Sequence, residues 1–181
     1  MNLKRDRALF LDRDGVINID KEYLYKKEDF EFIDGIFELI KIYQDSGYKI
    51  IVVTNQSGIG RGYYTQDDYM RLTEYMIDEF KKRDIRIDGV YHCPHTPEDR
   101  CSCRKPRSGM FMAAKRDFKL DMKNSVMIGD KDSDMKAAKN AKVGERIFLS
   151  SDQSRSLDAS KRVKDLFELI YDLKENSHEH R

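Results

Sequence analysis

No charge of either sign dominates this chain. Lys and Arg number 34 and Asp and Glu 33 among 181 residues, a formal net charge of +1. No global field therefore recruits nucleic acid or an anionic membrane, and no basic stripe or aromatic platform suited to strand ends is present. No apolar run approaches the ~20 residues that span a bilayer. The N-terminal stretch is too short and too acidic for a secretory leader, so a cytoplasmic protein is expected. Cysteine is scarce: three, all between Cys93 and Cys103. An odd, clustered set argues against a disulfide framework and toward metal. No repeat and no linker divides the sequence, so residues 1–181 are read as a single domain, long enough to bury a proper core.

What is present begins at Ala8. The apolar run from Ala8 to Leu11 reads as a buried strand ending at two carboxylates, Asp12 and Asp14. In extended chain, residues two apart point to the same side, so both acids face one place. Gly15 lets the backbone turn away. Residues 18–32 lack a period and read as a loop over the strand ends. Asp34 is expected to cap a helix carrying Ile36, Leu39, Ile40 and Tyr43, closed by Gly47. Ile50 to Val53 is a second strand, ending at Thr54. The glycine-rich loop through Gly62 offers amides that could approach an anion. Thr65 and Asp68 mark a capping box before a stripe of Tyr69, Leu72, Met76 and Phe80, which reads as core. Further strands are expected at Gly89 to His92, Ser125 to Ile128 and Arg146 to Leu149. Helices are expected at Gly109 to Phe118 and Met135 to Asn140. A last helix is marked by Val163, Leu166, Phe167 and Ile170, with Asn176 to Arg181 frayed.

Alternating strands and helices predict an α/β fold: a parallel sheet in a three-layer, Rossmann-like arrangement. Ligands of such sheets bind outside the carboxyl ends of the strands, where Asp12, Asp14, Thr54 and Asp130 are all expected. Three converging carboxylates, Asp12, Asp14 and Asp130, would repel one another unless a divalent cation joined them, and oxygen-only ligation suits Mg²⁺. With Thr54 and Lys105 added, the set could hold a phosphoryl group, and carboxylates are nucleophiles toward phosphorus.

Asp12-Arg13-Asp14-Gly15-Val16, Thr54, Lys105 and Gly129-Asp130-x-x-x-Asp134 resemble, in order, the four motifs of haloacid dehalogenase superfamily phosphatases. Phe32-Ile33-Asp34-Gly35, Thr54-Asn55-Gln56-Ser57-Gly58-Ile59 and Cys101-x-Cys103-Arg104-Lys105-Pro106 extend the resemblance to the heptose-bisphosphate phosphatases and the neighbouring histidinol-phosphatases. The likeness covers residues 7–172. It implies a haloacid dehalogenase fold, here without room for a large cap domain. It also implies Asp12 as nucleophile, Asp14 as acid and base, and Thr54 and Lys105 steadying the phosphoryl group. Mg²⁺ would sit on Asp12, the Asp14 carbonyl and Asp130. The implied substrate contacts are Asn18, Asp20, Lys21, Glu22, Tyr23, Asn55, Gln56, Ser57, Arg61, Arg104 and Lys131. Asp134 would orient Lys105 or cap a helix. The implied role is a monomeric phosphatase of a small sugar phosphate in heptose biosynthesis for lipopolysaccharide or capsule, with histidinol phosphate as the alternative substrate.

Cys93, His95, Cys101 and Cys103 supply four ligands in the 93–103 loop, a normal set for closed, tetrahedral structural zinc. His92 adjoins the set but points away if extended. A catalytically dead zinc-containing interaction domain is the rival reading; every required catalytic position is filled, which disfavours it.

Overall fold

Among the described residues, six parallel strands form one sheet, most of them from the β-branched and aliphatic runs of the sequence. The structure, a computed structural model, describes residues 5–152 and 154–178. The strands are β1 (Ala8–Leu11), β2 (Lys49–Asn55), β3 (Gly89–Cys93), β4 (Val126–Gly129), β5 (Glu145–Leu149) and β6 (Lys161–Val163). Their order in the sheet is β3-β2-β1-β4-β5-β6. The chain therefore winds outward from β1 in one direction and resumes from β4 in the other. Leu11 pairs with Val52 on one side and Ile128 on the other. That reversal opens a crevice between β1 and β4 at their carboxyl ends, the place such sheets reserve for ligands.

Period-two alternation sends the two faces of each strand into separate cores. Leu9, Leu11, Ile50, Val52 and Ile128 face one side. They pack there against helices α1 (Ile36–Asp45), α3 (Gln66–Lys81) and α6 (Leu166–His178). Ala8, Phe10, Ile51, Val53 and Met127 face α4 (Gly109–Phe118) and α5 (Asp132–Asn140). The Tyr69, Leu72, Met76 and Phe80 stripe is buried as core, and Thr65 caps α3 reciprocally with Asp68. Among the described residues no helix is long and apolar enough to cross a membrane.

Several local expectations are corrected. Asp34 does not cap α1: Gly35, at φ +88°, precedes the first turn, with no side-chain cap bond. Lys161-Arg162-Val163 forms the edge strand β6, so Val163 belongs to the sheet and α6 starts later, at Leu166. The helix continues through His178, and residues 179–181 of the expected frayed tail lie outside the described residues. The glycine-rich stretch folds into a short helix, α2 (Ser57–Gly60). Its neighbouring amides are largely committed to protein carbonyls: Gln56 to Cys93, Gly60 to Pro94, Arg61 to Ser57 and Gly62 to Ile59. A Cβ on Gly58 would lie 2.1 Å from the Tyr64 ring, and one on Gly60 2.7 Å from the Pro94 carbonyl. These glycines permit close packing of two loops.

Candidate active site

β1 delivers Asp12 at the crevice, where its amide continues the ladder to Ile128. The left-handed turn at Gly15, φ +92°, follows at once. A Cβ there would fall 2.0 Å from the Asp130 carboxylate, so only glycine lets the β1 and β4 ends approach this closely. β4 delivers Asp130, and the first turn of α5 delivers Asp134. Carboxylate oxygens of Asp12, Asp130 and Asp134 all lie within 4.8 Å of one another. One cation is built into this nest: Lys105 Nζ stands 3.0 Å from Asp12 and 2.6 Å from Asp134, with all three side chains buried. The same ammonium donates to the Val53 carbonyl at 2.8 Å. Asp134 also accepts from the Lys131 amide at 3.1 Å. It thus does both things foreseen for it, orienting Lys105 and closing the start of α5.

One lysine does not neutralise three carboxylates. Burial and then Asp134 push Asp12 well above the usual carboxylate range, with Lys105 opposing and Asp130 and Asp14 adding to the rise. Burial and then Asp134 lift Asp130 to about 6. Oxygen Oδ1 of Asp130 is buried without a hydrogen-bond partner. A crowded, under-compensated acid group with a vacant buried acceptor is what a hard divalent cation fits.

The expected trio of Asp12, Asp14 and Asp130 is corrected here: Asp134 takes the third place, and the Asp14 carboxylate lies in a different environment. It accepts from Asn18 Nδ2 at 3.0 Å, Arg13 Nη2 at 3.1 Å and Gln56 Nε2 at 3.0 Å. Burial raises its pKa, but the Arg13 guanidinium and those hydrogen bonds outweigh burial and hold the carboxyl below its ordinary value. Gln56 Nε2 also reaches Thr54 Oγ1 at 2.8 Å, tying Asp14 to Thr54.

Above these groups opens a cleft of about 550 Å³ lined by Asp14, Asp20, Glu22, Tyr23, Asn55, Gln56, Ser57, Arg104, Lys105 and Lys131, together with Tyr64, Pro106 and Ser133. Three expected substrate contacts are not on it. Asn18 is fully buried behind Asp14. Lys21 pairs with Glu31 on the surface at 3.3 Å. Arg61 ends α2, outside the cleft lining. Lys131 reaches Asp20 across the cleft at 3.1 Å. Arg13 and Tyr64 were not foreseen. An arginine between two acids reads as a spacer, and the burial that matters, with Arg13 2% exposed, belongs to the tertiary structure.

The 93–103 loop begins where β3 ends. Cys93, His95, Cys101 and Cys103 bring ligand atoms within 4.8 Å of one another, and the three cysteines are free thiols. Cys103 Sγ lies 3.0 Å from Cys93 and 3.3 Å from His95 Nδ1. Burial pushes the Cys93 thiol up. At Cys101 burial is outweighed by hydrogen bonds from the Arg104 amide and the other thiols, bringing it down to about 6. His92 stays outside the cluster, bonded to Gln66 and packed on Tyr69.

The sequence matches the polynucleotide kinase 3 phosphatase family over residues 9–164. It is 52% identical over 171 residues to a D-glycero-alpha-D-manno-heptose-1,7-bisphosphate 7-phosphatase of Campylobacter jejuni, covering 94% of this chain and 98% of the relative. The chain belongs to the heptose-bisphosphate phosphatase family. A second member, the D-glycero-beta-D-manno-heptose-1,7-bisphosphate 7-phosphatase of Helicobacter pylori, is 46% identical, with 93% and 98% covered. The crystal structure of D,D-heptose 1,7-bisphosphate phosphatase from B. bronchiseptica, complexed with magnesium and phosphate, superposes with TM-score 0.84 at 25% identity, covering 94% of this chain and 99% of that one. Haloacid dehalogenase-type hydrolases share the fold. These relatives favour the heptose branch over the histidinol-phosphate alternative.

Proposed function

We propose that the protein hydrolyses the 7-phosphate of D-glycero-D-manno-heptose 1,7-bisphosphate, leaving heptose 1-phosphate. It would act as a monomeric, single-domain enzyme of the cytoplasm that serves nucleotide-activated heptose biosynthesis. The observation that carries this reading is the distribution of cations in the cleft. Lys105 is locked against Asp12 at the floor, while Arg104 and Lys131 stand separately on the walls. One phosphate can react while the other is held, and Arg suits a bidentate grip on an oxyanion.

In the first step an Asp12 carboxylate oxygen attacks phosphorus. The bond from phosphorus to the sugar oxygen breaks, and Asp14 gives that oxygen its proton. In the second, Asp14 takes a proton from water as the water oxygen attacks the aspartyl-phosphate, returning Asp12 and releasing inorganic phosphate. Thr54 and Lys105 hold the phosphoryl oxygens. Asp12, Asp130 and the Asp14 carbonyl would hold Mg²⁺, which when bound offsets the carboxylates and the phosphoryl charge. Cys93, His95, Cys101 and Cys103 would hold Zn²⁺ as a closed set whose work is structural.

Phosphorus NMR of the product from each heptose anomer tests the position cleaved: the 1-phosphate resonance persists and the 7-phosphate resonance disappears. Arg104→Ala should lower kcat/KM for the bisphosphate roughly 10–100-fold, the size of one charge-assisted hydrogen-bonded contact, and much less for p-nitrophenyl phosphate. Equal losses would remove Arg104 from recognition. Faster turnover of histidinol phosphate than of either heptose anomer would overturn the substrate.

A further inference from the structure

Asp14 has two jobs in opposite directions, giving a proton and then taking one, and each needs its carboxylate aimed at a different oxygen. What aims it is a buried network with Arg13 at its centre. Arg13 Nη2 is 3.1 Å from Asp14, 3.1 Å from the Leu24 carbonyl and 3.3 Å from Gln56 Oε1. Gln56 Nε2 completes the ring by donating to Asp14 at 3.0 Å. Tyr64 donates its hydroxyl to the same Gln56 Oε1. That second donor fixes which end of the Gln56 amide faces Arg13 and which faces Asp14 and Thr54. Tyr64 is itself held, 5% exposed, its ring stacked on Tyr25 at 5.5 Å and fitted against Gly58.

As a device for stability the network is poor. Arg13 Nε and Nη1 are buried without partners, and burying a guanidinium with donors unmade is costly. The remaining support is the face of Tyr69, 6.0 Å away. The arrangement is instead well suited to direction. Every hydrogen bond of the Arg13 guanidinium runs through Nη2, toward the acid–base group, its partner Gln56 and the Leu24 carbonyl.

We propose that Arg13 and Tyr64 are positioning residues that act through Gln56 to hold the Asp14 carboxyl on the line of proton transfer to and from the reacting oxygens. The inference rests on the aspartyl-phosphate reading above. Its consequence is a dependence on the leaving group. A sugar alkoxide cannot depart without a proton, whereas p-nitrophenolate is a stable anion and can. Loosening Asp14 therefore harms cleavage of the sugar ester more than of the aryl ester. A merely structural defect harms both alike.

The test is the single-turnover rate of leaving-group release from heptose 1,7-bisphosphate and from p-nitrophenyl phosphate. Should the heptose ester prove inert, the fastest primary alkyl phosphate of a sugar-phosphate panel takes its place. Asp14→Asn sets the reference, losing on the order of 10²–10⁴ on the alkyl ester and less on the aryl ester. Tyr64→Phe keeps the ring and its packing and deletes one hydrogen bond. It should lose about 10-fold more on the alkyl than on the aryl ester, the size of a single buried bond. Arg13→Lys, which keeps a charge but not the planar fork, should fall between wild type and Arg13→Met in the same alkyl-to-aryl ratio. A split for Asp14→Asn with equal losses for Tyr64→Phe and Arg13→Lys would overturn the positioning role alone. Equal losses for Asp14→Asn would overturn the acid–base assignment beneath it.

Discussion

Two crowded clusters meet at the carboxyl edge of the sheet, and they resolve their crowding differently. In the first, one buried lysine pairs with Asp12 and Asp134, and Asp130 keeps a buried acceptor without a hydrogen-bond partner. In the second, Cys93, His95, Cys101 and Cys103 face one another with no countercharge among them. Lys105, which holds the first, lines the cleft, and the second lies within the 93–103 segment. An internal ammonium leaves the acid nest stable enough to fold yet short of positive charge, the condition for binding a cation and a phosphate that come and go. The thiol cluster offers four donors in one short segment, a set that would suit a resident structural metal. The two are joined covalently, since Cys103 precedes Arg104 and Lys105. The loop can therefore set the lysine's position without a cap domain.

Breaking the acid nest at Asp12, the proposed nucleophile, gives the largest expected effect. Asp12→Asn should abolish phosphate release, because an amide does not attack phosphorus; measurable turnover at a near-normal rate would remove Asp12 from that role. Breaking the thiol cluster comes next. Cys103→Ser should lose bound metal and lower Tm on the order of 10 °C, from several kcal/mol of metal binding at ~2–4 °C per kcal/mol. It should also lower kcat, through displacement of Lys105. An unchanged Tm would mean the cluster carries no structural metal. The smallest effect sharpens the boundary between the β1 and β4 ends. Gly15→Ala puts a Cβ at φ +92° against Asp130, a strain of roughly 1–3 kcal/mol. The Mg²⁺ concentration for half-maximal rate should rise while zinc content stays constant, as read by activity titration and metal analysis. A simultaneous loss of zinc would mean the two clusters are not separable.

The two regions were also unequally legible. β1, β2, α3 and α4 carry apolar runs, helical spacing or a capping box, and each of these follows from backbone geometry alone. β6 has two basic residues in three, so its strand character comes only from pairing with β5. The role of the glycine-rich stretch in packing was not legible, because close packing and anion binding ask for the same residue. Gly58 and Gly60 serve Tyr64 and the Pro94 carbonyl, contacts between segments distant in sequence. The acid nest was legible in part: Asp12 and Asp130 each follow a strand, but the expected third acid, Asp14, faces Arg13 and Gln56, and Asp134 enters instead from the first turn of α5. The Arg13–Gln56–Tyr64 network was not legible, since it exists only after β1 and β2 lie side by side. Arg61 is a cation near the motif in sequence that lies outside the cleft lining in space.

The contrast between an exchangeable and a resident metal is tested most directly by following both metals and activity through one dialysis. Protein purified without chelator is dialysed against Mg²⁺-free buffer and then returned to Mg²⁺. The account predicts about one zinc per chain throughout, with activity lost in the first step and restored in the second. Activity that follows zinc, or protein that is fully active with no zinc bound, would contradict it.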